Sequence, residues 1–340
     1  MAGNVYGLDL GTYEIKAFEK KKNQIWKEKS AIAVKDRTEI LAVGDEAYEM
    51  FEKTPASIEV KFPMQGGVIA QFHDMQNLLE RLLGKRKQPS GNAEYVVAVP
   101  TDVTQVERKA FFDLLYHSSA RAKSVSVVER GLADAVGAGI DVFHTGGVFV
   151  LNMGGGTVEI SVVAFGGIVL NRLLKLGGEQ FDQSVIQLVR RSRDFLIGRK
   201  TAQRLRCEFG IFSEDTEASV KTAGQNLLRG LPQHIDIPIS LVRAAMKEPM
   251  DECIDAVRSL LERTPPDIRR EIEKNGICLT GGMARMKGLK DYLEECTELK
   301  VRSIADPELC SIYGLREIIL NRKEYARLVY SMLDKESRWL

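Results

Sequence analysis

The sequence lacks any run of about 18 consecutive apolar residues, the length a membrane-spanning helix needs, although 44% of its 340 residues are apolar. Net charge is almost absent. The 48 Lys and Arg against 47 Asp and Glu leave +1, which argues against a broad electrostatic grip on nucleic acid. The five cysteines, Cys207, Cys253, Cys278, Cys296 and Cys310, are odd in number, widely spaced and without a C-x-x-C pair, so they read as buried, reduced thiols rather than metal ligands. His73, His117, His144 and His234 are equally scattered. The opening residues Met-Ala-Gly-Asn-Val-Tyr-Gly carry neither the charged nor the apolar region of a secretory signal, which points to the cytoplasm. Two common nucleotide motifs are missing as well: no G-x-x-x-x-G-K-[ST] occurs, and no G-x-G-x-x-G follows a strand-like run.

What is present is a folded chain long enough for two domains at about 150 residues each, with 28% charged residues. The apolar run 5–10 meets Gly11-Thr12 and continues through Ile15 to Phe18, a strand-turn-strand unit. Near mid-chain a similar unit runs from 148–151 through Asn152-Met153-Gly154-Gly155-Gly156-Thr157 into alternating residues 158–163. The two units read as a diverged repeat in which Asp9 corresponds to Asn152 and residues 11–15 to 156–160, with two extra residues in the second copy. Such a duplication suggests two similar half-molecules facing each other. Between and beyond the copies, strands are expected at 94–99, 125–128 and 277–279, and helices at 103–118, 132–137, 181–195, 201–207, 240–263 and 266–274. A last helix should carry Leu315, Ile318, Ile319, Tyr325, Leu328, Val329, Met332 and Leu333 on one face. Alternation of this kind gives an α/β class with mixed sheets.

Glycine-rich turns between strands let the backbone approach a phosphate, and their successive N–H groups form an anion-binding nest. Asp9-Leu10-Gly11-Thr12 and Gly154-Gly155-Gly156-Thr157 would grip one triphosphate from opposite sides, and Thr280-Gly281-Gly282-Met283 is a third such loop.

With these loops in this order, the chain resembles the actin-like ATPase superfamily, and within it the bacterial MreB family. Segments 62–70 (Phe-Pro-Met-Gln-Gly-Gly-Val-Ile-Ala), 197–202 (Ile-Gly-Arg-Lys-Thr-Ala) and 262–266 (Glu-Arg-Thr-Pro-Pro), with Asp306-Pro307, resemble MreB specifically. The resemblance implies an actin-like ATPase fold: two ribonuclease-H-type domains, each with a smaller subdomain, around a cleft for ATP and Mg²⁺. Domain I would comprise residues 1–142 plus 315–340, with its small subdomain at about 32–74; domain II would comprise 143–314, with its small subdomain at about 183–247. Asp9, Gly11, Thr12 and Tyr13 fall on the first phosphate loop, Asn152, Gly154, Gly155, Gly156 and Thr157 on the second, and Gly281 and Gly282 on the adenosine loop. Gln203 and Arg206 stand where the family usually has Glu and Lys for the ribose and base, and Met283 stands where it has a third Gly. Catalytic places fall to Thr157 and Glu129, and Asp9 is the expected Mg²⁺ carboxylate, acting through water. Asn152 replaces the family Asp, and Arg130 falls where the family has the Glu that orients the attacking water. An arginine stays protonated and cannot serve as a base, so Glu129 would substitute only with a one-residue shift and hydrolysis is expected to be weak or lost.

The same resemblance implies a protein that polymerises with itself and organises cell-wall synthesis and cell shape at the inner face of the membrane. MreB paralogues and membrane proteins of wall elongation are its expected partners, and nucleic acid is not. A hydrolysis-deficient paralogue that regulates another filament protein is the alternative. The first strand begins at once, and the turn at 84–92 with Lys85, Arg86 and Lys87 is polar, so insertion of an apolar tip into lipid is not expected; Trp339-Leu340 hints weakly at an external contact.

Overall fold

Strand β1 (Val5–Leu10) is buried along its whole length, as a central strand covered on both faces must be. In the computed structural model, which describes residues 4–85, 93–117, 122–210 and 218–331, it is followed by β2 (Glu14–Glu19), β3 (Gln24–Lys29), β4 (Ile32–Lys35), β5 (Glu39–Val43), helix α1 (Asp45–Met50) and β6 (Ile58–Lys61). Two short strands, β7 (Met64–Gln65) and β8 (Val68–Ile69), lead to α2 (Phe72–Lys85), β9 (Glu94–Val99), α3 (Gln105–Tyr116), β10 (Ser124–Glu129) and α4 (Arg130–Gly137). The second half comprises β11 (Val148–Met153), β12 (Val158–Ala164), β13 (Gly167–Leu174), α5 (Gly178–Arg193), β14 (Phe195–Leu196), α6 (Arg199–Phe209), β15 (Ser219–Asn226) and β16 (Pro232–Pro238). It continues through α7 (Ile239–Arg263), α8 (Pro266–Asn275), β17 (Ile277–Thr280), α9 (Leu289–Thr297) and β18 (Val301–Ser303) to α10 (Cys310–Leu320) and β19 (Tyr330–Ser331).

The two large sheets repeat one topology. The first runs β19-β10-β9-β1-β2-β3 and the second β13-β12-β11-β17-β18. In each, an antiparallel three-strand meander is extended by two parallel strands reached through helical crossovers. The expected repeat is therefore present, but its alignment needs correction. Gly11 N–H bonds to Glu14 O at 3.1 Å and Gly154 N–H to Thr157 O at 2.8 Å, while Asp9 pairs across the ladder with Lys16 and Asn152 with Glu159. Pairs 9/152, 11/154, 14/157 and 16/159 thus share one offset, and the second turn holds no insertion.

A small sheet, β5-β4-β6, carries α1 in the first half, and another, β14-β15-β16, stands in the second. Apolar side chains separate into one core for each large sheet and a third between them, where α4 and α10 lie against the inner residues Val96 and Ala98 of one sheet and Val150 and Val163 of the other. Most predicted helices form within a few residues of expectation. Helix α3 starts later than expected because Thr104 caps it, its hydroxyl accepting from Glu107 N–H while Glu107 accepts from Thr104 N–H. The C-terminal expectation fails. Helix α10 ends at Leu320, Tyr325 and Leu328 reach the central core from turns, and the chain returns as β19, paired with β10. Met332, Leu333, Trp339 and Leu340, like the basic turn at 86–92, lie outside the described residues. Among the described residues no helix is long and apolar enough to cross a membrane.

Helices α4 and α10 cross at glycine. A Cβ on Gly314 would stand 1.8 Å from Ala133 O, and one on Gly137 would stand 2.0 Å from Cys310 O, so both backbones are in contact and neither can yield. Gly314→Ala should lower unfolding stability by about 2 kcal/mol or more, read from the denaturant midpoint. Gly84→Ala, at an exposed helical site with open space around it, should leave the midpoint unchanged or raise it.

Candidate functional site

The turns after β1 and β11 meet face to face. A Cβ on Gly155 would lie 2.7 Å from Tyr13 Cβ, and one on Gly156 would lie 2.6 Å from the Thr12 methyl, so the approach of the two loops requires glycine on one side. Gly281, at φ +86°, closes the third loop against Asn152 and Met153. Together these loops line a cavity with Asp9, Lys16, Arg130, Asn152 and Ser311 on its walls.

The polar groups of that cavity form one buried network. Lys16 Nζ stands 3.1 Å from Asp9 Oδ2 and Arg130 Nη2 stands 3.4 Å from Asp9 Oδ1. Arg130 Nη1 also faces Glu159 Oε2 at 3.7 Å, and Glu159 Oε1 accepts from Thr101 N–H at 3.0 Å. On the other side, Asn152 Nδ2 donates to Asp134 Oδ2 at 2.6 Å, and Ser311 donates to Asp134 Oδ1 at 2.5 Å. Burial alone would raise the pKa of Asp9, but Lys16 and Arg130 overcome it and hold the carboxyl below its ordinary range. Glu159 behaves oppositely: its burial outweighs the attraction of Arg130 and pushes it up to about 7. Burial likewise lifts Asp134 to about 6 against its hydrogen bonds from Ser311 and Asn152.

A second cavity adjoins the first through Tyr13, Gly155 and Gly282, and is lined further by Tyr48, Gln203, Arg206 and Met283. Tyr48 OH donates to Gln203 Oε1 at 3.1 Å, across from one half to the other. Arg206 is fixed by Asp182, its Nε 2.6 Å from Oδ1. Above them Glu52, at the end of α1, accepts from the N–H groups of Arg199 and Lys200 at the start of α6, and Lys200 Nζ donates to Tyr48 O at 2.6 Å. The segment after α1 and the start of α6 therefore touch over the cavity.

A family model for the MreB/Mbl protein matches residues 3–327. The chain belongs to this family. It is 33% identical over 326 residues to the cell shape-determining protein MreB of Escherichia coli strain K12, covering 92% of each chain. To the cell shape-determining protein Mbl of Bacillus subtilis strain 168 it is 31% identical over 312 residues, 91% of this chain and 93% of that one. The crystal structure of MreB5 of Spiroplasma citri bound to AMPPNP superimposes with a TM-score of 0.90 at 28% identity, over 96% of this chain and 99% of that one. The MamK double helical filament, at 19% identity and TM-score 0.78 over 94% and 99% of the two chains, shares the fold. The fold is actin-like, as the resemblance implied.

Within this MreB/Mbl chain, the residues expected to line the cleft do so: Asp9, Gly11, Thr12, Tyr13, Asn152, Gly154 to Thr157, Gly281 and Gly282 surround the first cavity, and Gln203, Arg206 and Met283 the second. Glu129 does not join them. It ends β10, and its carboxylate faces Arg108 at 3.7 Å, while the next residue, Arg130, enters the cavity. The one-residue shift that would have brought Glu129 into the cavity is absent because α4 starts at Arg130. Both oxygens of Asp9, the expected Mg²⁺ carboxylate, face cations in this structure, and its counterpart Asn152 is an amide engaged with Asp134. Among the described residues no three His, Cys, Asp or Glu gather as a metal site. This donor set does not fit a divalent cation. Lys16, Glu159 and Asp134 went unnoticed in the sequence, where they read as strand and helix residues; a cross-strand register for Asp9 would have pointed to Lys16.

Glu159 carries a pH signature. A carboxyl raised from 4.5 to about 7 binds a proton in the folded state that the unfolded chain has released, so its contribution is full below about 4.5 and disappears as pH rises through about 7. Between pH 5 and 7 the wild type should lose about 2 kcal/mol of unfolding free energy that Glu159→Gln retains, a difference visible in urea titrations at the two pH values.

Proposed function

We propose that the chain binds ATP in this cleft and polymerises into cytoskeletal filaments that organise wall synthesis and cell shape at the inner face of the cell membrane. The observation that carries the reading is the pair of glycine turns facing each other from two sheets of the same topology, joined to a second cavity with an aromatic wall and polar ends. The first cavity is lined by both glycine turns, and glycine turns of this kind suit phosphates. Tyr13, Tyr48 and Met283 offer the second an apolar and aromatic wall, and Gln203 and Arg206 offer it polar ends. We assign the cores around the two sheets to domains I (1–142 plus 315–340) and II (143–314), with small subdomains at about 32–74 and 183–247. A nucleotide touching both turns ties the domains together, and the contact of Glu52 with α6 holds the roof closed above it. A protomer whose domain angle is set in this way repeats head to tail into an open filament.

Hydrolysis on this reading is slow. Arg130 occupies the place of a water-orienting carboxylate and cannot accept a proton. Self-assembly is favoured over a regulatory role on a paralogue's filament by the match to the family model along nearly the whole chain, and the partners are further copies of the chain together with paralogues and wall-elongation membrane proteins.

Sedimentation with ATP should show assembly of the wild type at high concentration. Gly156→Val, which drives a side chain into Thr12, should reduce ATP binding by at least about tenfold and abolish pelleting. A wild type that remains monomeric by light scattering with ATP and a lipid surface present would contradict the filament reading.

A further inference from the structure

Asp9 is the carboxylate through which a divalent cation would be held, and it is neutralised from both sides. The strand register enforces one partner, because β1 and β2 pair Asp9 directly against Lys16. The other comes from the first residue of α4, whose guanidinium lies between Asp9 of one sheet and Glu159 of the other. A dication entering here would meet two buried positive charges at close range; a polyphosphate entering the same gap would meet them as partners.

Arg130 also has binding capacity in reserve. Its side chain is 8% exposed and lines the cavity between the glycine turns; Nη2 is paired with Asp9 at 3.4 Å but makes no well-aligned hydrogen bond within the protein, and neither does Glu159 Oε2 opposite Nη1. A buried guanidinium anchored by flanking carboxylates, with an N–H not committed to a well-aligned hydrogen bond, is set for a phosphate oxygen. Lys16 adds a second positive charge on the same wall. Asn152, engaged with Asp134, offers no competing carboxylate.

We propose that Arg130 and Lys16 take the place of a divalent cation in this cleft, so that the chain binds a nucleoside di- or triphosphate without metal. The inference rests on the nucleotide-binding reading above and extends it to the ligand's charge state: the free polyphosphate, not its magnesium complex, is the species recognised.

The test is calorimetric titration of the full chain with AMPPNP, once in MgCl₂ and once in EDTA. The two dissociation constants should agree within about threefold. Binding at least about tenfold weaker in EDTA overturns metal independence while leaving the nucleotide reading intact. An absence of binding in both buffers overturns both. Arg130→Gln should weaken binding in EDTA by at least about tenfold, with part of the loss recovered in MgCl₂ because Asp9 is freed from one cation. Since that variant leaves Glu159 without its cation, Arg130→Gln with Glu159→Gln provides a charge-balanced form, its folding checked by thermal unfolding. It should show the same new dependence on Mg²⁺, and EDTA affinity unchanged from wild type in the folded double variant overturns the role of Arg130.

Discussion

The guanidinium of Arg130 sits where the two halves meet and faces a carboxylate from each, Asp9 on β1 and Glu159 on β12. Burying three ionisable groups carries a desolvation penalty of several kcal/mol per ion unless the charges are matched. The matching constrains the rest of the cleft. Lys16 stands opposite Asp9 in the ladder, α4 begins at residue 130, and Asn152, as an amide, donates to Asp134 without bringing a like charge beside it. The glycine crossing of α4 with α10 then holds that helix, and the arginine at its start, at a fixed depth between the sheets.

This arrangement departs from what family membership alone would suggest. An actin-like cleft is expected to use a carboxylate to hold Mg²⁺ through water. Here the positive charge belongs to the chain itself, and the acidic groups around it are either paired, as Asp9 is, or pushed toward their neutral forms by burial, as Asp134 and Glu159 are. The electrostatic balance of the cavity favours an incoming anion. The glycine turns serve the same end through geometry, by letting two backbones converge on one cavity.

Much of this was legible in the sequence, and the rest was hidden for identifiable reasons. The strand-turn-strand repeat, the mixed α/β class and the cleft-lining loops follow from local apolar patterns and glycine runs, which are local properties. The alignment of the repeat slipped because the second turn holds three consecutive glycines, and only the hydrogen bond from Gly154 to Thr157 shows which one matches Gly11. Lys16 and Glu159 each sit in an alternating strand, where nothing local separates a cavity wall from an ordinary sheet face. Tyr325, Leu328 and Val329 continue a helical stripe in sequence, but the pairing of β19 with β10 draws that segment away from the helix, and a pairing about 200 residues apart leaves no periodic trace. Arg130 itself was legible as a departure; that it brings its own counter-charges with it was not.

The measurement that tests the account most directly is the anomalous scattering of a crystal of the full chain grown with AMPPNP and MnCl₂. The account predicts the Arg130 guanidinium against a phosphate oxygen and no manganese peak within coordination distance of Asp9. A manganese peak bridging Asp9 and the phosphates, with Arg130 displaced from the cleft, would contradict it.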